Sequence, residues 1–268
     1  MKGGFNSIAK QVGEKMYKVF ASCFCHTGKV RNNNEDNFYF NGSILPNNSN
    51  GTSSSLCCTK ALKQPVCFSV FDGMGGEECG QEAAFLAALT FQKYAPTIEL
   101  LPDDLLRIFE KANQRICNFT LNNDLSVSGS TVAAICFHMG SACIANIGDS
   151  KIYLIRNHGL TQLSVDHTDK VLLDQKGITK RKPRLTQHLG IPSSEMIIEP
   201  YTETIKLQSA DRFLLCSDGL SDMVPITKIQ EIVSRPLSPT EVVQLLTEMA
   251  MQNGGRDNIT IILCDISK

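Results

Sequence analysis

Apolar, strand-like runs in this 268-residue chain repeatedly meet a carboxylate at one end. The run 66–71 leads into Asp72-Gly73, and the run 213–217 leads into Asp218-Gly219. Glu35-Asp36 precedes the run 37–40, and Asp257-Asn258 precedes the run 259–263. Strand ends gathered at one edge of a sheet bring such carboxylates together. Two of them about 4 Å apart repel by up to ~4 kcal/mol at an effective dielectric near 20. A fold tolerates that cost when a cation sits between them. The donors are all oxygen, from Asp72, Asp218, Asp257 and the Gly73 carbonyl, with no histidine or cysteine beside them. Such a set suits a hard ion, Mg²⁺ or Mn²⁺, rather than zinc. Gly73 and Gly219 permit tight turns directly after a ligand.

Composition sets the outer limits. Hydrophobic residues make up 42 % and charged residues 20 %, ordinary for a globular protein. A net charge of −1 argues against nucleic acid as a general partner. No apolar stretch is long enough to span a membrane, and residues 1–14 lack a secretory signal pattern, so a cytoplasmic location is expected. The eleven cysteines are odd in number and irregularly spaced, which disfavours a disulfide framework. Cys67, Cys136, Cys143, Cys216 and Cys264 lie in apolar runs and read as small core residues. Cys23, Cys25, Cys57 and Cys58 lack the usual spacing of a zinc site.

Periodicity predicts strands at about 17–25, 37–40 and 66–71, with 41–64 a mobile loop rich in Asn and Ser. A helix is expected from Glu77 to about Tyr94, its N-terminal end favoured by Glu77 and Glu78. A second starts near Pro102, with Leu105, Phe109, Ala112, Ile116 and Phe119 on one face. Strands at 130–137, 142–147, 151–156 and 160–163 read as a meander of hairpins, with turns at Gly148-Asp149-Ser150 and Asn157-His158-Gly159. Residues 167–190 are irregular and basic. Strands near 201–207, 211–217 and 258–265 and helices at 226–234 and 239–252 complete the chain, with Ser238 or Thr240 a cap for the last helix. Helix pairs that interrupt hairpin-connected strands predict an α+β fold of antiparallel sheets with helices outside. One domain over 1–268, with its core at about 17–266, is expected.

Each acidic motif alone has a bland reading, since Asp before Gly is usually a turn residue and a lone Arg31 a surface charge. Together the motifs are specific. Arg31-Asn32-Asn33-Asn34-Glu35-Asp36, Asp72-Gly73-Met74-Gly75-Gly76, Ser128-Gly129-Ser130-Thr131, Gly148-Asp149-Ser150, Asp166-His167, Ser217-Asp218-Gly219-Leu220 and Gly255-Arg256-Asp257-Asn258 occur in that order. In this the chain resembles the metal-dependent serine/threonine protein phosphatases, the type 2C or PPM family, in their bacterial form. The resemblance spans about residues 23–265.

The resemblance implies a four-layer αββα sandwich, two antiparallel β-sheets flanked by helix pairs, with the metals in an edge cleft. It implies hydrolysis of phosphoserine and phosphothreonine in proteins by a metal-activated water, with no covalent intermediate. Asp72 would bridge two Mn²⁺ or Mg²⁺ ions, the Gly73 carbonyl would bind one, and Asp218 and Asp257 the other. Asp149 and Asp218 would hold a third. Glu35 and Asp36 match the catalytic acidic pair, and Arg31 the arginine that grips the substrate phosphate. Met74 stands where animal members carry a histidine proposed to protonate the leaving alcohol; a methionine has no proton to give, so a metal-bound water is the expected donor, ahead of His167, whose motif resembles a structural Asp-His pair. The segment 167–190 corresponds to a short flap over the active site, and Lys180, Arg181 and Lys182 would draw in phosphorylated segments, a solvated basic loop being the plainer alternative. The implied partner is the phosphoprotein substrate of a serine/threonine kinase, met by a monomer. The competing functions are a regulatory phosphoprotein-binding module of the same fold, which generally lacks metal ligands, and a phosphatase for small phosphate esters.

Overall fold

The computed structural model describes residues 16–74, 77–99 and 101–268. Gly75 and Gly76 of the turn expected at Gly73 to Gly76, and the side chains of Glu77 and Glu78, lie outside the described residues. The elements follow in chain order: β1 Lys18–His26, β2 Asp36–Phe40, β3 Ser43–Ile44, β4 Leu56–Ala61, β5 Val66–Met74, α1 Glu77–Tyr94, α2 Asp103–Asn122, β6 Gly129–Ser130, β7 Val132–His138 and β8 Ser141–Ile147. Then come β9 Lys151–Arg156, β10 Gly159–Gln162, α3 Lys170–Gln175, β11 Tyr201–Lys206, β12 Arg212–Cys216, α4 Asp218–Ser221, α5 Ile226–Val233, α6 Pro239–Gln252 and β13 Ile259–Ser267.

Two antiparallel sheets result. One runs in the order β10-β9-β12-β13-β1-β4 and the other β11-β8-β7-β5-β2-β3, with the short β6 also paired to β5. Alternation along the strands decides what each face buries. On β5, Val66, Phe68 and Val70 enter the core between the sheets, while Cys67 and Phe71 face α1 and α2. On β12, Phe213 and Leu215 enter that same central core, while Leu214 and Cys216 face α5 and α6. Both faces of these strands are buried, which is why their sequences read as unbroken apolar runs. Phe68, Phe137 and Phe213 fill the centre, with ring centroids 6.2 and 5.3 Å apart. Burying each such ring contributes roughly 1.5–3 kcal/mol. The alanines 83, 84, 87 and 88 bring α1 close to its sheet, and Phe91 packs on Phe71 and Phe109. Ser238 and Glu241 form a reciprocal capping box at the start of α6. The four-layer sandwich expected from the resemblance is the observed architecture.

The same alternation carries the strands to the site. Asp36 precedes Phe38 and Phe40 on the inner face of β2, Asp72 follows Phe68 and Val70, and Ser217 follows Phe213 and Leu215. The central core therefore turns polar at one end. There the buried Asp36 accepts hydrogen bonds on Oδ2 from Ser217 Oγ and Thr260 Oγ1, each at 2.7 Å. Ser217 and Thr260 belong to the opposite sheet, so Asp36 pins the two sheets together directly behind Asp218.

Three expectations need correction. Residues 41–64 are not one loop, because Leu56–Ala61 forms the edge strand β4, paired with β1 from Lys18↔Ala61 to Cys23↔Leu56. Residues 130–163 are not one meander: β7 and β8 form a hairpin in one sheet, β9 and β10 a hairpin in the other, and the chain changes sheets at residues 148–150. Finally, Cys67 and Cys136 are not free core thiols but a disulfide. They face each other directly in the β5/β7 register, on the side covered by helices.

Two measurements check these points. Alkylation of the denatured, unreduced protein is expected to label the nine free cysteines, and all eleven after reduction, read by intact mass. Asp36→Ala leaves two buried hydroxyls without their acceptor and is expected to lower unfolding stability by about 2–3 kcal/mol in a denaturant titration.

Candidate metal centre

At the polar end of the sandwich lies a half-open cleft of about 590 Å³. Arg31, Glu35, Asp72, Gly73, Asp149, Asp218 and Asp257 line it, so most of the residues singled out in the sequence converge there. Asp36 does not. Its Oδ2 is engaged by the buried hydroxyls of Ser217 and Thr260, while it stands opposite Asp72 in the β2/β5 register and its charge reaches that residue. Burial pushes its pKa up to about 7, held down in part by those two donors and raised by Asp218 and Asp257.

Local hydrogen bonds fix the backbone beneath the acidic groups. Thr131 Oγ1 accepts from the Asp72 amide at 3.2 Å, and the Thr131 amide donates to the Asp72 carbonyl at 2.8 Å. Thr131 Oγ1 also lies 2.7 Å from Ser150 Oγ, which ties Asp72 to the sheet-crossing segment that carries Asp149. Asn258 Oδ1 accepts from the Glu35 amide, and its Nδ2 donates to the carbonyls of Thr27 and Asn33. One asparagine thus anchors the Arg31 loop to the start of β13, beside Asp257. The Gly73 amide donates to the Glu35 carbonyl at 3.1 Å. A Cβ on Gly73 would come within 2.1 Å of the Gly80 carbonyl and 2.6 Å of the Glu35 carbonyl, so only glycine fits between β2 and α1.

Electrostatics mark the cleft as short of positive charge. The Asp72 pKa is driven well above the carboxylate range, first by burial and then by Asp218, Asp36, Asp149 and Asp257. Asp149 is pushed up to about 6 by burial and by Asp218, against the pull of Lys151 and Lys182. Asp218 is raised by burial while Lys182 pulls it back. Two carboxylates already have cations. Lys182 Nζ lies 2.6 Å from Asp218 Oδ2 and 2.9 Å from Asp222 Oδ2, and Arg31 Nη2 lies 2.8 Å from Asp257 Oδ2. No ion pair reaches Asp72 among the described residues, nor do three acidic, histidine or cysteine side chains there close on one point as a finished ligand shell. The fit to a hard cation rests on the donors themselves: carboxylate and carbonyl oxygens that repel one another, with Asp72 lacking a counter-charge.

The flap residues divide. Lys182 lines the cleft, whereas Arg181 pairs with Asp169 within the flap and Lys180 is not part of the lining. The flap base is a short ladder, with the Thr186 amide donating to the His167 carbonyl and the Asp169 amide to the Arg184 carbonyl. Thr131 and Lys182, from segments already singled out in the sequence, line the cleft with Arg184 and His188, of which His188 carries no signal that sequence spacing offers.

Comparison with known proteins agrees with this geometry. The protein phosphatase 2C family matches residues 26–172 and 169–259. The serine/threonine phosphatase stp of Listeria monocytogenes serotype 4b is 31 % identical over 253 residues, covering 89 % of this chain and 92 % of that protein. Serine/threonine protein phosphatase PstP of Mycobacterium tuberculosis is 31 % identical over 247 residues, 89 % of this chain but 43 % of PstP. The crystal structure of the PstP catalytic domain in complex with two manganese ions superposes with a TM-score of 0.76 at 27 % identity, covering 94 % of this chain and all of that one. With its strand-end carboxylates in one cleft and these relatives along nearly its whole length, the chain belongs to the protein phosphatase 2C family, in its bacterial serine/threonine form.

Proposed function

We propose that this cleft hydrolyses phosphoserine and phosphothreonine in protein segments, with Mn²⁺ or Mg²⁺ held by Asp72, the Gly73 carbonyl, Asp218 and Asp257. The observation that carries the reading is the convergence of Asp72, Asp149, Asp218 and Asp257 beside Arg31, with Asp72 lacking any ion-pair partner among the described residues. Two ions fit the donor set, a count supported by PstP, solved with two manganese ions; a third would sit at Asp149 and Asp218. A divalent cation bound here supplies Lewis acidity and an activated water.

The chain's own residues do the rest. Arg31 exchanges the Asp257 carboxylate for the substrate phosphate, which its planar fork can hold through two oxygens. That side chain is half exposed, so its present pair with Asp257 is weak and readily exchanged. Glu35, fixed through its backbone by Asn258 and Gly73, presents an acceptor at the cleft wall. Asp36 keeps the Ser217–Asp218 strand end in place. Lys182 partly neutralises Asp218 and Asp222 from the flap. No described helix is long and apolar enough to cross a membrane. We place the enzyme in the cytoplasm, one monomeric domain opposing a serine/threonine kinase; nine free thiols support that compartment, although the single disulfide does not. The small-ester reading keeps a foothold because the cleft is half open, whereas every ligand position that a non-catalytic module would lack is filled.

Chelation by EDTA is expected to abolish phosphopeptide hydrolysis, and Mn²⁺ to restore it; hydrolysis that survives complete metal stripping overturns the assignment. Asp218→Asn is expected to lower kcat at least about 100-fold, since even residues that merely support metal ligands cost 10–100-fold. Lys182→Gln is expected to tighten Mn²⁺ binding by about two- to fivefold in a calorimetric titration, because it removes an exposed ion pair that competes for Asp218.

A further inference from the structure

Cleavage of a serine or threonine phosphate expels an alkoxide, a poor leaving group that must gain a proton as the O–P bond breaks. Met74, at the cleft wall, has none to give. Asp72, Asp149, Asp218 and Asp257 are committed to cation binding in the proposed function, Glu35 serves there as an acceptor, and Arg31 does not deprotonate. His188 is the only histidine among the cleft-lining residues.

Its placement is specific. Strand β6 pairs antiparallel with the end of β5, with Met74 opposite Gly129 and Gly73 opposite Ser130. The next segment out pairs Leu189 with Ser130, through hydrogen bonds of 3.1 and 2.8 Å. His188 therefore stands one chain removed from the end of β5, the strand that carries Asp72 and Gly73. Its ring lies over Gly129: a Cβ added there would fall 2.4 Å from His188 Nδ1. Glycine at 129 thus makes room for the imidazole beside Met74. His188 Nδ1 is 2.9 Å from the Leu189 carbonyl. A carbonyl can only accept, so Nδ1 carries its hydrogen, and Nε2 is the nitrogen left to gain or lose a proton. Two ties hold the segment that bears the ring. Asn113 on α2 accepts from the Gly190 amide at 2.6 Å, and its Nδ2 donates to the Ile191 carbonyl at 2.9 Å.

We propose that His188 is the general acid of this phosphatase, an inference that rests on the phosphatase reading above. Water attacks phosphorus and the bond to the serine or threonine oxygen breaks. The Nε2 proton of the imidazolium passes to that oxygen, so alcohol and inorganic phosphate leave and a neutral ring remains. Solvent returns the proton. The charged groups that share the cleft with His188 are Glu35, Asp72, Asp149, Asp218, Asp257, Arg31, Lys182 and Arg184.

The test compares two leaving groups in Mn²⁺-loaded protein, wild type and His188→Gln. A phosphothreonine peptide needs the acid; p-nitrophenyl phosphate, whose phenolate departs unaided, does not. For His188→Gln, kcat on the peptide is expected to fall roughly 100-fold, the lower range for general acid catalysis, with kcat on the aryl ester within about threefold of wild type. The fall of wild-type peptide kcat with rising pH is expected to vanish in the variant. An equal loss on both substrates, or an unchanged peptide kcat, overturns the proposal. A folding-independent check is ¹⁵N NMR of the wild-type imidazole at high pH: an Nδ1–H tautomer supports it, and an Nε2–H tautomer overturns it. Wild-type protein that hydrolyses neither ester with Mn²⁺ sinks the phosphatase reading itself, and this inference with it.

Discussion

Mutual repulsion among Asp72, Asp149, Asp218 and Asp257 governs the open end of the sandwich. At an effective dielectric near 20, each close pair costs on the order of a few kcal/mol, a sizeable share of the stability of a whole domain. The chain relieves part of this with its own cations, Lys182 on Asp218 and Arg31 on Asp257. Asp72 and Asp149 keep raised pKa values despite that relief. What remains is a deficit of positive charge focused on one side of the cleft. The Thr131 link and the Asn258 anchor hold the backbone that carries Asp72 and Glu35 in the cleft wall.

Much of this could be read from residue order. Asp72 and Asp218 were legible because β5 and β12 are buried on both faces, which leaves unbroken apolar runs that end abruptly in charge. The α2 face followed from spacing alone, and the α6 cap was narrowed to Ser238 or Thr240, of which Ser238 is the one used. The strand β4 escaped notice because an edge strand needs few apolar residues: only Leu56 and Cys58 pack on the core. The change of sheet at 148–150 was hidden because a crossing and a hairpin use the same turn residues. Cys67 and Cys136 could be paired only once the register of β5 against β7 was known.

Asp36 shows how period and motif combine. Motif resemblance pairs it with Glu35, and the two-residue period of β2, counted back from Phe38 and Phe40, puts it on the face between the sheets. Asp72 lies on that same face and opposite Asp36 in the strand register, so the period does not separate the two. What sets Asp36 apart is the pair of donors, Ser217 and Thr260, that engage its Oδ2. His188 carries no signal in the sequence, since its position depends on how the flap folds back over the sheet edge, and only that fold separates Lys182 from its neighbours Lys180 and Arg181.

The passage of the backbone from one layer to the other at residues 148–150 has a mechanical corollary. Asp149 rides on the strap that joins the layers, Asp72 ends a strand of one layer, and Asp218 follows a strand of the other. The spacing among these three oxygen donors is thereby a gauge of how tightly the two layers are clamped. A bulkier or smaller residue deep in the central phenylalanine stack, far from any solvent, would shift that gauge and retune the cleft's grip on cations without altering a single group inside it.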